Sequence, residues 1–208
     1  MSADAAASEL HATPTLTHAL VRLEALSPAH RPDLEDAVGD LHTLWYTRIP
    51  TPEGMGAEIE SRLAAQREGR LAPWAIVSAA TGRAVGMTTY LNLDPQNGRV
   101  EIGSTWLSRT AHGTGVNPAA KLLLLRRAFE DLGCVAVEFR THWHNHQSRA
   151  AIARLGAHQD GVLRQHQRWH DGTLRDTVVF SLLDREWPAA RNGLEARIAP
   201  RLEAGTLV

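Results

Sequence analysis

The sequence predicts a single α/β (α+β) domain, a mixed and mainly antiparallel sheet with helices on both faces. Three observations predict it. Apolar residues recur with period two or 3.6 in the order β-α-α-β-β-β-α-β-α-β-β, and a C-terminal helix follows. The strands between residues 74 and 108 are joined by turn signals rather than by helices, so they form an antiparallel meander. The meander runs into a strand, a glycine-bearing loop and a helix over residues 101–132.

Composition narrows the function classes. The chain has 208 residues, with 22 basic and 23 acidic side chains and a formal net charge of −1. That balance argues against nucleic acid or an anionic membrane as the main partner. A single cysteine, Cys134, excludes a disulfide framework and a cysteine-based zinc site. It opens an apolar run and reads as a buried structural thiol. No apolar run approaches the roughly 20 residues of a membrane span. No basic stretch precedes an apolar core at the N-terminus, so no signal peptide is expected. Together these predict a cytoplasmic protein.

The elements follow in order. Residues 1–17 are rich in Ala, Ser and Thr without periodicity and are expected as a mobile tail. The domain is expected over residues 18–187, with a C-terminal helix and tail over 188–208. Residues 18–26 alternate and form the first strand. Ser27-Pro28 opens a helix, as N-cap followed by proline, with Leu34, Val38 and Leu41 as its stripe. Residues 44–52 form an aromatic, proline-punctuated loop. Helix resumes over 52–70, with Met55, Ile59 and Leu63 aligned. Strands follow at 74–78 and 84–93, separated by Thr81-Gly82-Arg83 and closed by the turn at 94–98. The next strand carries Glu101.

Asn117-Pro118 predicts a helix start with Asn117 as N-cap. Leu122, Leu125, Phe129 and Leu132 share its buried face, and Gly133 closes it. Residues 135–140 form a strand with Val135, Val137 and Phe139 on one face. Residues 145–156 form a helix with Asn145 as N-cap, Ala151, Ile152 and Leu155 inward, and Gly156 at its end. Residues 161–169 and 173–183 make a hairpin around His170-Asp171-Gly172. The last helix begins near Asp184 and carries Leu194 and Ile198, with a frayed end from Pro200.

The loop before the Asn117-Pro118 helix offers backbone N–H groups at a helix N-terminus, which is an anion site. It is not a Walker loop, because Val116 and Asn117 follow Gly115 where Lys-Ser/Thr is required. Nor is it a dinucleotide fingerprint, because Pro118 stands where a third small residue belongs. His112-Gly113-Thr114-Gly115-Val116-Asn117 resembles instead the Arg/Gln-x-x-Gly-x-Gly/Ala acyl-CoA loop of the GNAT superfamily of N-acetyltransferases, in its RimJ/RimL-type branch. Gly115 matches, whereas His112 and Asn117 depart at the first and last positions. The run from Asn145 through Ser148 to Leu155-Gly156 resembles the superfamily's last conserved block. The element order resembles the fold from about His18 to Trp187.

The resemblance implies acetyl-CoA as cosubstrate and an amine as acceptor, attacked directly in a ternary complex. The cosubstrate would lie along Trp106, Leu107, His112, Gly113, Thr114, Gly115, Val116, Asn117, Asn145 and Ser148. Leu107 N–H is the expected donor to the acyl oxygen, and Trp106 belongs either to the pantetheine wall or to the core. Glu101 is the expected base, with Glu138 second. Ser148 either relays a proton to the sulfur or completes a helix cap. A tyrosine acid on that helix is excluded, since the only tyrosines are Tyr46 and Tyr90.

His142, His144 and His146 lack the Cys or His-Glu partners that would complete a zinc site, so no metal is expected. His142 and His144 are reserve bases, and His158, His166 and His170 are expected on the same side. Acceptors implied by the branch are small-molecule amines or protein N-termini. Glu53, Glu58 and Glu60 either draw a cationic acceptor or form a solvated helix face. Two rival readings remain: a non-catalytic acyl-CoA sensor, and transfer of another acyl group such as succinyl, to which a basic pocket would point. The sequence does not give the oligomeric state; the resemblance allows a homodimer, with Leu163 and the C-terminal helix as candidate contacts.

Overall fold

A computed structural model describes residues 9–205. Eight strands form one sheet: β1 (Leu16–His18), β2 (Val21–Ala25), β3 (Ala72–Ser78), β4 (Ala84–Asp94), β5 (Arg99–Leu107), β6 (Ala136–His142), β7 (His158–Arg168) and β8 (Leu174–Leu183). Their spatial order is β1-β2-β3-β4-β5-β6-β8-β7. Every pair is antiparallel except β5 and β6. The mixed, mainly antiparallel sheet with helices on both faces is therefore the architecture found.

Helices α1 (Arg31–Val38) and α2 (Met55–Arg67) cover one face. Their Leu34, Val38, Met55 and Ile59 pack on Ala75, Val77, Met87 and Trp106. The opposite face carries α3 (Val116–Arg126) and α5 (Trp187–Gly205). Leu122, Leu124, Leu125, Leu194 and Ile198 pack there on Val100, Ile102, Val137 and Phe139. With both faces covered, β3 is buried along its whole length. The short α4 (His146–Ala153) follows β6 and ends near Gly156, whose φ is +92°.

The site is positioned by one irregularity. β5 and β6 pair only at Arg99↔Ala136, Val100↔Val137 and Glu101↔Glu138, and then diverge. On its other edge β5 stays bound to β4, but with a bulge. Between the pairs Thr89↔Gly103 and Met87↔Trp106, β5 carries one residue more than β4. Ser104 absorbs it with a φ of +46°. Such a bulge bends its strand and raises the local twist, which carries the end of β5 away from β6. Close packing on β4 is kept by Gly86, where a Cβ would collide with the Trp106 carbonyl oxygen.

Five expectations are corrected. The expected tail 1–17 lies outside the described residues up to residue 8. Beyond that it is held down: Arg127 donates to the Glu9 carbonyl at 2.8 Å, Trp74 Nε1 donates to the Pro14 carbonyl at 3.0 Å, and Leu10 is buried. The first strand is two strands, because the chain turns at Ala19-Leu20 and β1 folds back on β2. Asn117 is not an N-cap. α3 starts two residues earlier, with Gly115 capping at φ +89°. Val135 is half exposed, because it precedes β6 and its N–H is tied to the Gly98 carbonyl rather than turned into the core. Finally, α5 continues through Pro200 to Gly205. Leu194 and Ile198 pin the preceding turns to the core, and the turn after the proline is added to an anchored helix.

The Gly86 contact yields a prediction. Gly86→Ala forces β4 away from β5 and lowers stability by about 2–4 kcal/mol in urea unfolding. An unchanged midpoint would show that the two strands have slack.

Candidate functional site

The divergence of β5 and β6 opens a cavity of about 1280 Å³ that runs from the loop before α3, through the gap, to the face carrying Glu101. Its wall includes Glu101, Trp106, Leu107, His112, Gly113, Gly115, Asn117, Asn145 and Ser148. Those nine expected residues are thus brought together. Thr114 and Val116 are not on the wall. Thr114 Oγ1 donates to the Ala111 carbonyl at 2.7 Å, and the Val116 side chain is buried in the core.

The loop is built to leave its amides free. Gly113 and Gly115 take φ values of +75° and +89°, a region that side chains resist. Among the described residues, the N–H groups of Gly113, Thr114 and Gly115 have no intramolecular acceptor. The Val116 N–H reaches only Thr114 Oγ1, at 3.4 Å. Because Gly115 is the cap, the Asn117 side chain consumes none of these donors. The loop lies under α5, and a Cβ on Gly115 would meet Arg201 Cγ at 3.0 Å and Leu20 Cδ1 at 2.8 Å. Arg154, Arg197 and Arg201 line the cavity as well. Free amides, a helix N-terminus and three guanidinium groups are what the phosphates of a CoA ester require.

The gap supplies a second donor. Ser108 N–H donates to the Val85 carbonyl at 2.8 Å, across to β4. Successive amides of a strand point to opposite edges, so Leu107 N–H points away from β4, into the gap that β6 has left. Trp106 packs with α1 and α2, which makes it a core residue that also borders the cavity, and its buried Nε1 has no partner among the described residues.

Glu101 is 6% exposed and sits where the gap begins. Asn92 Nδ2 donates to its Oε2 at 2.6 Å. Arg140 Nε lies 3.5 Å from the same oxygen, as an ion pair. Gly103 makes room for the carboxylate, since a Cβ there would stand 2.9 Å from Oε1. Burial raises the Glu101 pKa above the ordinary carboxylate value, and the Arg140 charge and the Asn92 bond offset only part of that. Glu138, the second candidate, is held by Arg99 at 2.5 Å and Arg140 at 3.0 Å, so both of its oxygens are engaged.

Ser148 has its amide capped by Asn145 Oδ1 at 2.9 Å, and the residue lines the cavity. Both expected roles are therefore compatible: the backbone completes the cap and the hydroxyl remains available. His142 is buried, and its Nδ1 accepts from the His144 N–H at 3.1 Å. That bond leaves the proton on Nε2, which makes the ring a donor toward the cavity rather than a base. Of the other histidines, His166 borders the cavity, whereas His144, His158 and His170 do not. Glu53, Glu58 and Glu60 are absent from the wall, and Glu58 is engaged by Arg62 at 2.7 Å. Cys134 is buried and its thiol is pushed up to about 11, as a structural thiol should be.

The sequence reading missed several wall residues, among them Arg48, Arg154, Arg197 and Arg201 beside Arg175, Trp169 and Lys121. Arg175 and Trp169 lie on the final hairpin, and Lys121 lies on α3. Lys121 Nζ donates to Thr105 Oγ1 at 3.1 Å and lies 5.8 Å from the Phe139 ring centre. Its ammonium is thus enclosed beneath the gap, and burial pulls its pKa down to about 7. Its position among the buried faces of Ala120, Leu124 and Leu125 was the available signal.

Residues 21–158 match the family described as acetyltransferase (GNAT) domain. The chain is 36% identical over 106 residues to YdaF of Bacillus subtilis, whose name marks it as a candidate ribosomal N-acetyltransferase. That match covers 51% of this chain and 57% of YdaF, so it spans less than two thirds of that relative. A GCN5-related N-acetyltransferase from Brucella melitensis superimposes with a TM-score of 0.80 at 31% identity, covering 91% of this chain and 87% of that one. Mycobacterium smegmatis RimJ in complex with CoA-disulfide shares the fold, with a TM-score of 0.76 at 22% identity over 92% of this chain and 97% of that one. The chain belongs to the GNAT acetyltransferase family.

The enclosed lysine has a pH signature. Its folded pKa of about 7 lies below the ordinary 10.5. Below about pH 7 the ammonium is charged in both folded and unfolded chains, and the cost of burying it is carried in full. Between the two values the unfolded chain holds a proton that the folded chain lacks, so this cost fades as pH rises. Lys121→Met should therefore stabilise the protein most near about pH 6 and least near about pH 10. A gain independent of pH in parallel unfolding curves would contradict the enclosure.

Proposed function

We propose that this protein transfers an acetyl group from acetyl-CoA to a primary amine, by direct attack within a ternary complex. The observation that supports this reading is the continuity of the cavity, from free loop amides through the strand gap to a buried carboxylate. The loop amides, with Arg201, Arg197 and Arg154, bind the phosphates. The pantetheine arm lies in the gap, where unpaired edges of β5 and β6 supply donors and acceptors. The thioester supplies an electrophilic carbonyl and a thiolate leaving group.

Leu107 N–H donates to the acyl oxygen as charge develops there. Glu101 takes the proton of the attacking amine, and its raised pKa brings it nearer the working pH of a base. The new C–N bond forms as the C–S bond breaks. Ser148 Oγ passes a proton to the departing sulfur. The name of YdaF brings ribosomal amines into the acceptor class beside small molecules. Leu163 and Leu174 are exposed on the edge hairpin and fit a contact with a second copy of the chain.

Thiol release from acetyl-CoA across an amine panel, beside direct measurement of CoA binding, tests the reading. Turnover with an amine supports it, whereas CoA binding without turnover on every amine makes the protein a sensor. Glu101→Gln should lower kcat about 10²–10⁴-fold with little change in CoA affinity. The parent kcat should fall as acid protonates Glu101, at a pH above the ordinary carboxylate range, and the variant should lose that limb. Arg201→Ala should weaken CoA binding about tenfold, with a shallower salt dependence. An unchanged dissociation constant would place the phosphates elsewhere.

A further inference from the structure

The wall of the cavity is unevenly charged. Glu101 is its one carboxylate among the described residues, against the cations Arg48, Arg70, Lys121, Arg140, Arg154, Arg175, Arg197 and Arg201. Arg154 ends α4, and Arg197 and Arg201 lie on α5, with Arg201 against the phosphate loop. Arg140 is engaged by Glu138 and Glu101. Lys121 is bonded to Thr105. Arg70 pairs with Glu68 at 2.6 Å, which leaves Arg48 and Arg175 without such an account.

Their place in the fold is informative. Paired residues of adjacent strands share a face, and alternate residues of one strand do too. The pairs Glu101↔Glu138 and His142↔Thr177 therefore put Glu101, Arg140, His142, Thr177 and Arg175 on one face of the sheet. Arg175 Cζ lies 4.8 Å from the Trp169 ring centre and Arg48 Cζ 4.6 Å from the same centre. Trp169 is itself fixed, being 4% exposed with its Nε1 donating to the Trp45 carbonyl at 2.5 Å.

Arg175 is the anomaly. Its Nε is buried with no hydrogen-bond partner, and among the described residues no carboxylate lies within ion-pair distance. Burial has lowered its pKa from the ordinary guanidinium value. Arg48 Nη2 reaches only the Arg168 carbonyl, at 3.5 Å. A desolvated guanidinium without a counter-ion is costly unless a ligand supplies one. A planar fork beside a fixed aromatic ring suits a carboxylate.

We propose that Arg175 and Arg48, held on Trp169, bind a carboxylate of the acceptor, so that the acceptor is a small amino acid whose amine faces Glu101. This rests on the acetyl-transfer reading and narrows its substrate. A polycationic acceptor finds one carboxylate here and several cations. An amino acid places its ammonium by Glu101 and its carboxylate by Arg175.

The test uses the full-length protein with acetyl-CoA, a panel of free α-, β- and γ-amino acids, the matching carboxamides, and spermidine. At least one amino acid should be turned over, with its carboxamide about tenfold or more lower in kcat/KM. Arg175→Met and Arg48→Met should each raise KM for that amino acid, leave KM for acetyl-CoA unchanged, and narrow the preference over the carboxamide. Arg48 is exposed, so its variant keeps the test valid where Arg175→Met fails to fold. Spermidine or carboxamides used as well as the acids, or a preference that both variants leave intact, would overturn the inference. It would also fall if the Arg175 dependence followed succinyl-CoA in place of acetyl-CoA. Thermal shifts of the CoA-loaded protein decide the matter without turnover. A shift given by an amino acid but not its carboxamide, and lost with Arg175, supports the carboxylate site while the absence of turnover defeats acetyl transfer. No such shift overturns the site itself.

Discussion

A parallel pairing only three residues long governs this molecule. Beyond Glu101 and Glu138 the two central strands part, and their facing backbone edges lose each other as partners. Buried backbone groups seldom stay unpaired, so a gap of this kind is stable only if water or a ligand satisfies it. The gap is not slack in the fold. β4 holds the outer edge of β5 through Gly86, β8 holds the outer edge of β6 over its whole length, and helices cover both faces. The bulge at Ser104 then diverts one strand from a partner the sheet otherwise keeps in line.

Charge is distributed to match. At one end of the cavity, arginines from α5 and the end of α4 gather around free amides at a helix start. At the other, a carboxylate is buried beside an arginine that lacks a counter-ion. Between them a lysine lies beneath the gap, its pKa pulled down to about 7 by burial. Each arrangement is unfavourable or merely neutral for the empty protein, and each becomes favourable when a ligand of the right charge arrives. The burial that raises the Glu101 pKa also strips Arg175 of water, so the base and the anion reader proposed above owe their properties to the same desolvation.

Much of this was legible in the sequence, because much of it is local. The turn chemistry of residues 94–98, the Asn145 cap and the glycines around Thr114 act over a few residues, and pattern reading reports such effects. Asn117-Pro118 misled by two positions, because Gly115 in a left-handed conformation outcompeted the asparagine as cap. Three of the misses are matters of distance along the chain. Arg48 and Trp169 meet from 121 positions apart, and Arg127 holds residues 9–12 from more than a hundred positions away. No local period encodes such meetings. Pro200 read as a terminus because its effect on an isolated helix is known, whereas the packing of Ile198 that carries the helix past it is tertiary.

The most direct measurement is amide hydrogen exchange, residue by residue, with and without CoA. Leu107 N–H should exchange faster than Ser108 N–H in the free protein, since one faces the gap and the other is bonded to Val85. Saturating CoA should slow Leu107 together with Gly113 and Gly115, and leave Ser108 unchanged. Protection elsewhere at saturation, with Leu107 and the loop unaffected, would contradict a thioester lying in the gap.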